Sequence, residues 1–153
     1  MKDCLIICNK NCITYADIFP LLKDNILTIG SPVKTYENTE KKFGNHGWIT
    51  TLPTGNKKAL KLTQRYNESQ YPKYDNFNAI NVDRIKDIPM DYTEAIGVPI
   101  TIFEYNYGDK YDVVGCGCHR ADNLDNGYWL GGLVDATVNG DKVFFRIFIK
   151  KKQ

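Results

Sequence analysis

Long apolar runs are scarce: near the start the most apolar stretch is Leu5-Ile6-Ile7, far short of a signal-peptide core or of the roughly 20 apolar residues that span a bilayer. A soluble cytoplasmic protein, with no membrane partner, is the expectation. Charge of one sign is scarce too, since 20 Lys and Arg face 18 Asp and Glu for a net charge of +2. No global polycation announces nucleic-acid binding, so any basic surface must be local. There are 2 histidines, and the 5 cysteines (Cys4, Cys8, Cys12, Cys116 and Cys118) are odd in number and lack the paired spacing of a disulfide framework. Reduced thiols are expected. Cys116-Gly117-Cys118-His119 is too tight for the usual zinc knuckle, and Cys118 and His119 would point to opposite faces of a strand. Neither a metal centre nor a Cys-His dyad is therefore expected. Gly115-Cys116-Gly117 lacks the third glycine and the acidic residue of a dinucleotide loop. No Pro-Pro pair occurs anywhere.

What is present fits one core. A chain of 153 residues with 42% hydrophobic content suits a single domain spanning residues 1–153. Residues 4–8 form a continuous apolar run of the kind buried on both faces in a parallel sheet. A strand of that kind needs neighbours on both sides, which implies a further unit upstream. Thr14-Tyr15-Ala16-Asp17 resembles a capping box and predicts a helix over 15–23, closed by Asn25 before a strand over 26–29 that ends at Gly30. Residues 31–43 are polar and aperiodic and read as a loop, followed by a strand over 48–52. Further strands are expected over 79–82, 98–104, 111–114 and, more weakly, 128–130. Asn139-Gly140 between residues 134–138 and 142–149 predicts a two-residue hairpin. In its second strand Phe144, Arg146, Phe148 and Lys150 point one way and Val143, Phe145, Ile147 and Ile149 the other.

Residues 53–74 change character. Lys57, Lys58, Lys61, Arg65 and Lys73 face the single acid Glu68, a local net charge of +4, with Tyr66, Tyr71 and Tyr74 interleaved. Lysine and arginine neutralise phosphates while tyrosine faces stack, so this is a candidate nucleic-acid surface; an ordinary solvated face is the alternative. Asn9-Lys10-Asn11 follows the first strand at its carboxyl end, where ligand sites of open α/β sheets gather, and reads equally well as a polar connection. Lys150-Lys151-Lys152 reads as a terminal tail.

Leu5 through Tyr15, Asn45 through Leu52 with Trp48 and Thr50, and Tyr71-Pro72-Lys73-Tyr74-Asp75-Asn76-Phe77-Asn78-Ala79-Ile80-Asn81-Val82 together resemble the EcoRI-type adenine-specific DNA methyltransferases of restriction-modification systems. Lys86-Asp87-Ile88-Pro89-Met90-Asp91-Tyr92, Gly97-Val98-Pro99-Ile100-Thr101 and Phe145-Arg146-Ile147-Phe148-Ile149-Lys150 follow in order. Residues 104–140 do not align, and the similarity is to the latter half of the family.

The resemblance implies an α/β fold: the C-terminal part of a Rossmann-like methyltransferase sheet over 1–52, then a DNA-recognition-like, antiparallel β-rich extension over 53–153. It implies methyl transfer from S-adenosylmethionine to the exocyclic amine of a flipped adenine in duplex DNA. Lys57, Lys58, Lys61, Arg65 and Lys73 would contact phosphates; Tyr66, Tyr71, Tyr74 and Asn76 would shape the DNA cleft; Asn9, Lys10 and Asn11 would border the active-site crevice. The family's glycine-containing donor loop and Asn-Pro-Pro-Phe-like tetrapeptide have no counterpart here, so no catalytic, donor-binding or metal-binding residue is assigned. The chain alone is expected to bind no donor and to be inactive. Its opening strand would be covered by a separate N-terminal half or by a second copy in a homo-oligomer. The alternative is a non-catalytic DNA-binding or interaction module left from a broken methyltransferase gene. Two departures stand out: Asn56-Lys57-Lys58 lies where relatives place a histidine, and Cys8 and Cys12 replace smaller residues.

Overall fold

The computed structural model describes residues 3–15, 17–30, 45–55, 57–117 and 136–153. They form two compact units, Met1–Lys57 and Lys58–Gln153. The loop expected over 31–43, the strand over 128–130, residues 134–135 of the hairpin, Cys118 and His119 lie outside the described residues.

The first unit is a strand-helix-strand segment with a third strand inserted. β1 (Leu5–Asn9) leads into a 3-10 helix (Lys10–Thr14), α1 (Phe19–Lys23), β2 (Thr28–Ile29) and β3 (His46–Thr50). The strand order is β1-β3-β2, and both outer strands pair antiparallel with β3. β1 and β2 therefore run in the same direction with β3 between them. This corrects the expectation of a parallel neighbour for the opening strand. Nor is β1 buried on both faces, because Leu5, Ile6 and Ile7 are 57%, 49% and 48% exposed. The core of this unit lies instead beneath β2 and β3, where Ile13, Phe19, Leu22, Leu27, Ile29 and Ile49 are buried.

The expected capping box is not used. Asn9 accepts a hydrogen bond from the Asn11 amide at 2.9 Å, which folds Lys10–Thr14 into the 3-10 turn, and the Thr14 hydroxyl donates to the Asn11 carbonyl at 2.8 Å. α1 thus starts later than predicted, with Pro20 in its first turn, where a missing N–H costs no helical bond. Asn25 does end it as expected, at φ 56°.

The second unit centres on a four-stranded mixed sheet. The strands of the unit as a whole are β4 (Lys58–Ala59), β5 (Ala79–Asn81), β6 (Ala95–Val98), β7 (Tyr105–Asn106), β8 (Tyr111–Cys116), β9 (Thr137–Val138), β10 (Asp141–Lys142) and β11 (Ile147–Lys151). The main sheet has the order β5-β6-β11-β8; β5 and β6 are parallel, and β11 pairs antiparallel with β6 and β8. β11 is internal, and Ile147, Phe148 and Ile149 are all 0% exposed, so both of its faces are covered. β4 and β7 form a small parallel pair.

Two expectations change here. The strand predicted over 98–104 stops at Val98, because Pro99 has no N–H for the ladder; Ile100–Glu104 turns into a 3-10 helix that buries Ile102 and Phe103. The predicted strand over 142–149 divides into β10 and β11, which belong to different sheets. The hairpin turn itself is as expected: Asn139 and Gly140 have φ 53° and 81°, and Val138 pairs with Asp141.

Asp75 clamps that turn, accepting from the Asn139 amide at 3.1 Å and the Gly140 amide at 2.8 Å. The Gly140 N–H holds its carboxyl below the usual range against the opposing effect of desolvation, with help from Thr137 and Asn139. A lowered folded pKa adds stability that is present above the unfolded value, about 3.9, and is lost as pH falls through the folded value. Asp75→Asn is expected to flatten the acid side of the stability profile. Urea midpoints between about pH 5 and 2 check this, and an unchanged acid decline in the variant would refute it.

Candidate nucleic-acid interface

The basic segment is extended and held by distant parts of the second unit. Lys58, in β4, donates to Glu104 at 2.8 Å and lies 5.5 Å from the centroid of the Tyr105 ring. Its ammonium is raised above the ordinary lysine range mainly by the Glu104 hydrogen bond. Beyond Leu60 the chain has no regular structure, yet it is pinned. The Met90 amide donates to the Gln64 carbonyl at 3.0 Å, and the Tyr66 amide donates to the Asp91 carboxylate at 2.7 Å. The Asn67 side chain closes a turn by accepting from the Ser69 amide and hydroxyl at 3.1 and 2.9 Å. Lys61 and Arg65 are exposed along this run, and exposed Lys73 pairs with Glu68 at 3.3 Å.

The interleaved tyrosines do not all share that surface. Tyr66 is half-buried in an aromatic group, 4.5 Å from the Tyr92 centroid and 5.8 Å from that of Tyr71. Tyr71 is buried and donates to the Asp87 carbonyl at 2.9 Å; Tyr74 is buried and donates to Asn81 at 2.7 Å. Burial raises both phenols, and Tyr74 far beyond the ordinary tyrosine range. Asn76 accepts from the Thr137 amide at 3.2 Å. Tyr71 and Tyr74 are therefore buried and offer no open ring for stacking, whereas Asn76 is half-buried.

Lys57 closes the first unit, half-buried, with its ammonium lowered by desolvation. Asn9, Lys10 and Asn11 also belong to that unit. Asn11 accepts from the Asn45 side chain at 2.8 Å, the Lys10 amide donates to the Asn45 carbonyl at 2.7 Å, and the Lys10 side chain covers Gly47. Behind them the Cys12 thiol lies 3.2 Å from Cys8 and is pushed up to about 12 by burial and by Cys8, so it packs as an uncharged group.

The depression beside these residues is shallow, with about 160 Å³ of empty space including open solvent. Its lining of Cys8, Cys12, Ile13, Ile29 and Ile49, with Lys10 laid across it, has no side-chain carboxylate for a ribose. The lining of this depression does not suit a nucleoside-bearing methyl donor. Among the described residues no three His, Cys, Asp or Glu side chains gather as a cation site would require, and no helix is long and apolar enough to cross a membrane.

A family model described as adenine-specific methyltransferase EcoRI matches residues 33–152. The chain belongs to this family. It is 34% identical to the type II methyltransferase M.EcoRI of Escherichia coli, over 99% of this chain and 51% of the relative. It is 29% identical to M.MpnI of Mycoplasma pneumoniae, over 99% of this chain and 57% of the relative. M.MgeORF184P of Mycoplasma genitalium is 31% identical over 74% of this chain. The chain thus spans about half the length of the EcoRI-type relatives it matches. No solved structure matches it.

Proposed function

We propose that this chain is the DNA-facing portion of an adenine-specific DNA methyltransferase of a restriction-modification system, acting in the cytoplasm. Lys57, Lys58, Lys61, Arg65 and Lys73 contact the phosphates of duplex DNA, while Tyr66, Tyr71, Tyr74 and Asn76 fix the shape of the segment that presents them. Asn9, Lys10 and Asn11 border the crevice in which the base is methylated. The donor, S-adenosylmethionine, is held by polypeptide that carries the glycine-containing loop and the Asn-Pro-Pro-Phe-like tetrapeptide; this chain alone neither binds it nor methylates.

The observation that supports the reading is the state of β1. Three successive large apolar residues, Leu5, Ile6 and Ile7, are each about half exposed or more, and successive residues on a strand face opposite sides. Both faces of β1 therefore meet water. Among the described residues β1 is also an edge strand, so it offers both a free edge for another strand and apolar faces for a further layer, and relatives about twice as long have further polypeptide to supply them.

Reconstitution tests this. The purified chain is mixed with the donor-loop and tetrapeptide segment of M.EcoRI, labelled S-adenosylmethionine and duplex DNA. Label in adenine is expected only when both polypeptides are present. Label from this chain alone, or failure of the chain to retain duplex DNA at low salt, would refute the proposal.

A further inference from the structure

The cations of the basic segment are not the only ones on their side of the sheet. The Lys151 ammonium, from the end of β11, donates to the Met90 carbonyl at 2.9 Å, and the Met90 amide donates to the Gln64 carbonyl beside Arg65. The Lys110 ammonium lies 3.5 Å from the Leu60 carbonyl, beside Lys61. Lys110 precedes β8, and in the sheet Lys151 pairs with Tyr111, the first residue of that strand. The Lys152 amide donates to the Lys110 carbonyl at 2.9 Å. Two further parts of the chain thus bring the exposed Lys110 and Lys151 beside the segment that carries exposed Lys61 and Arg65.

The partners of these ammonium groups set them apart. A carbonyl fixes the position of a lysine without neutralising it, and an ammonium that gives one donor to a carbonyl keeps two for another acceptor. Lys58 and Lys73 are opposed by Glu104 and Glu68, whereas Lys110 and Lys151 are exposed and rest on neutral oxygens. The Asp91 carboxylate, in the same stretch as Met90, accepts from the Tyr66 amide at 2.7 Å. Lys150 differs, since it points to the opposite face of β11 and pairs with Glu94 at 3.4 Å.

We propose that Lys110 and Lys151 contact the phosphates of duplex DNA together with Lys61 and Arg65. This rests on the DNA-facing reading above and extends it to residues outside the basic segment. Such contacts hold the duplex in place without reading its sequence.

The test is the salt dependence of binding of the full chain to a fluorescent duplex between 50 and 200 mM salt, where each phosphate contact adds about 0.9 to the slope of log affinity against log salt. Lys110→Gln and Lys151→Gln are each expected to lower the slope by about 0.9, irrespective of DNA sequence. Lys110→Arg and Lys151→Arg keep it. Lys150→Gln, which removes the same charge from the opposite face, leaves it unchanged. If Lys61→Gln and Arg65→Gln lower the slope while Lys110→Gln and Lys151→Gln behave like Lys150→Gln, this inference fails and the DNA-facing reading survives. If the arginine variants lose as much as the glutamine ones, the role is structural and the inference also fails. Absence of salt-dependent binding by the unaltered chain would defeat the underlying reading itself.

Discussion

Gly97→Ala is expected to destabilise the second unit by about 3 kcal/mol, the upper end of ordinary overpacking. Gly97 lies in β6 between Asn81 of β5 and Phe148 of β11. The Tyr74 ring lies directly over it, and a methyl group there would come within 2.8 Å of two ring carbons and collide with the hydroxyl. The ring has no easy retreat. It meets Phe77 and Phe148 edge-on at centroid distances of 6.0 and 5.5 Å, and its hydroxyl is bonded to Asn81. Accommodating the methyl group means breaking that bond or displacing the aromatic cluster. Urea unfolding of Gly97→Ala, Tyr74→Leu and the double variant measures the coupling. The double variant is expected to be more stable than the two single losses added together, because the smaller side chain makes room. A Gly97→Ala protein with an unchanged midpoint would show that the close approach is not real.

Arg146→Met is expected to cost about 2 to 3 kcal/mol through the acceptors it leaves behind. The Arg146 side chain is buried, yet it donates to Asn81 at 3.2 Å, to Asp83 at 2.7 Å and to the Phe144 and Phe145 carbonyls at 3.0 and 3.4 Å. The planar fork serves all four, and Lys cannot reproduce it, so Arg146→Lys should fall nearly as far as Arg146→Met. The Asp83 side chain is 74% exposed, so water screens the ion pair and Asp83→Asn should cost less than about 1 kcal/mol. That ordering is the prediction. A larger loss from Asp83→Asn than from Arg146→Met, measured by the same unfolding curves, would mean that the ion pair and not the buried acceptors dominates.

These two sites show where reading the sequence stops. Alternation placed Phe144, Arg146 and Phe148 on one face of a single strand, but Phe144 is 72% exposed while Arg146 and Phe148 are buried. The period was sound, but the strand was interrupted before β11. Tyr71 and Tyr74 looked like surface rings because they stand among lysines. A tyrosine in such company can lie on either side of the surface, and only its distant partners, Asp87 and Asn81, show that it is buried. The lysines of the C-terminal run looked alike, yet Lys150 and Lys151 point to opposite faces of a strand whose neighbours are far away in sequence.

The residues alone determined what depends on a few adjacent positions: the Asn139-Gly140 turn, the stop at Asn25, the strand at the start of the chain, and the ordered series of motifs that marks the EcoRI methyltransferase family. Tertiary structure decided the insertion of β3 between β1 and β2, the central place of β11, and which cations share a surface. The reason is physical. Backbone dihedral preferences act within a turn, whereas strand order and burial are fixed by hydrogen bonds and apolar contacts between segments tens of residues apart, and many arrangements of those segments satisfy the same local pattern.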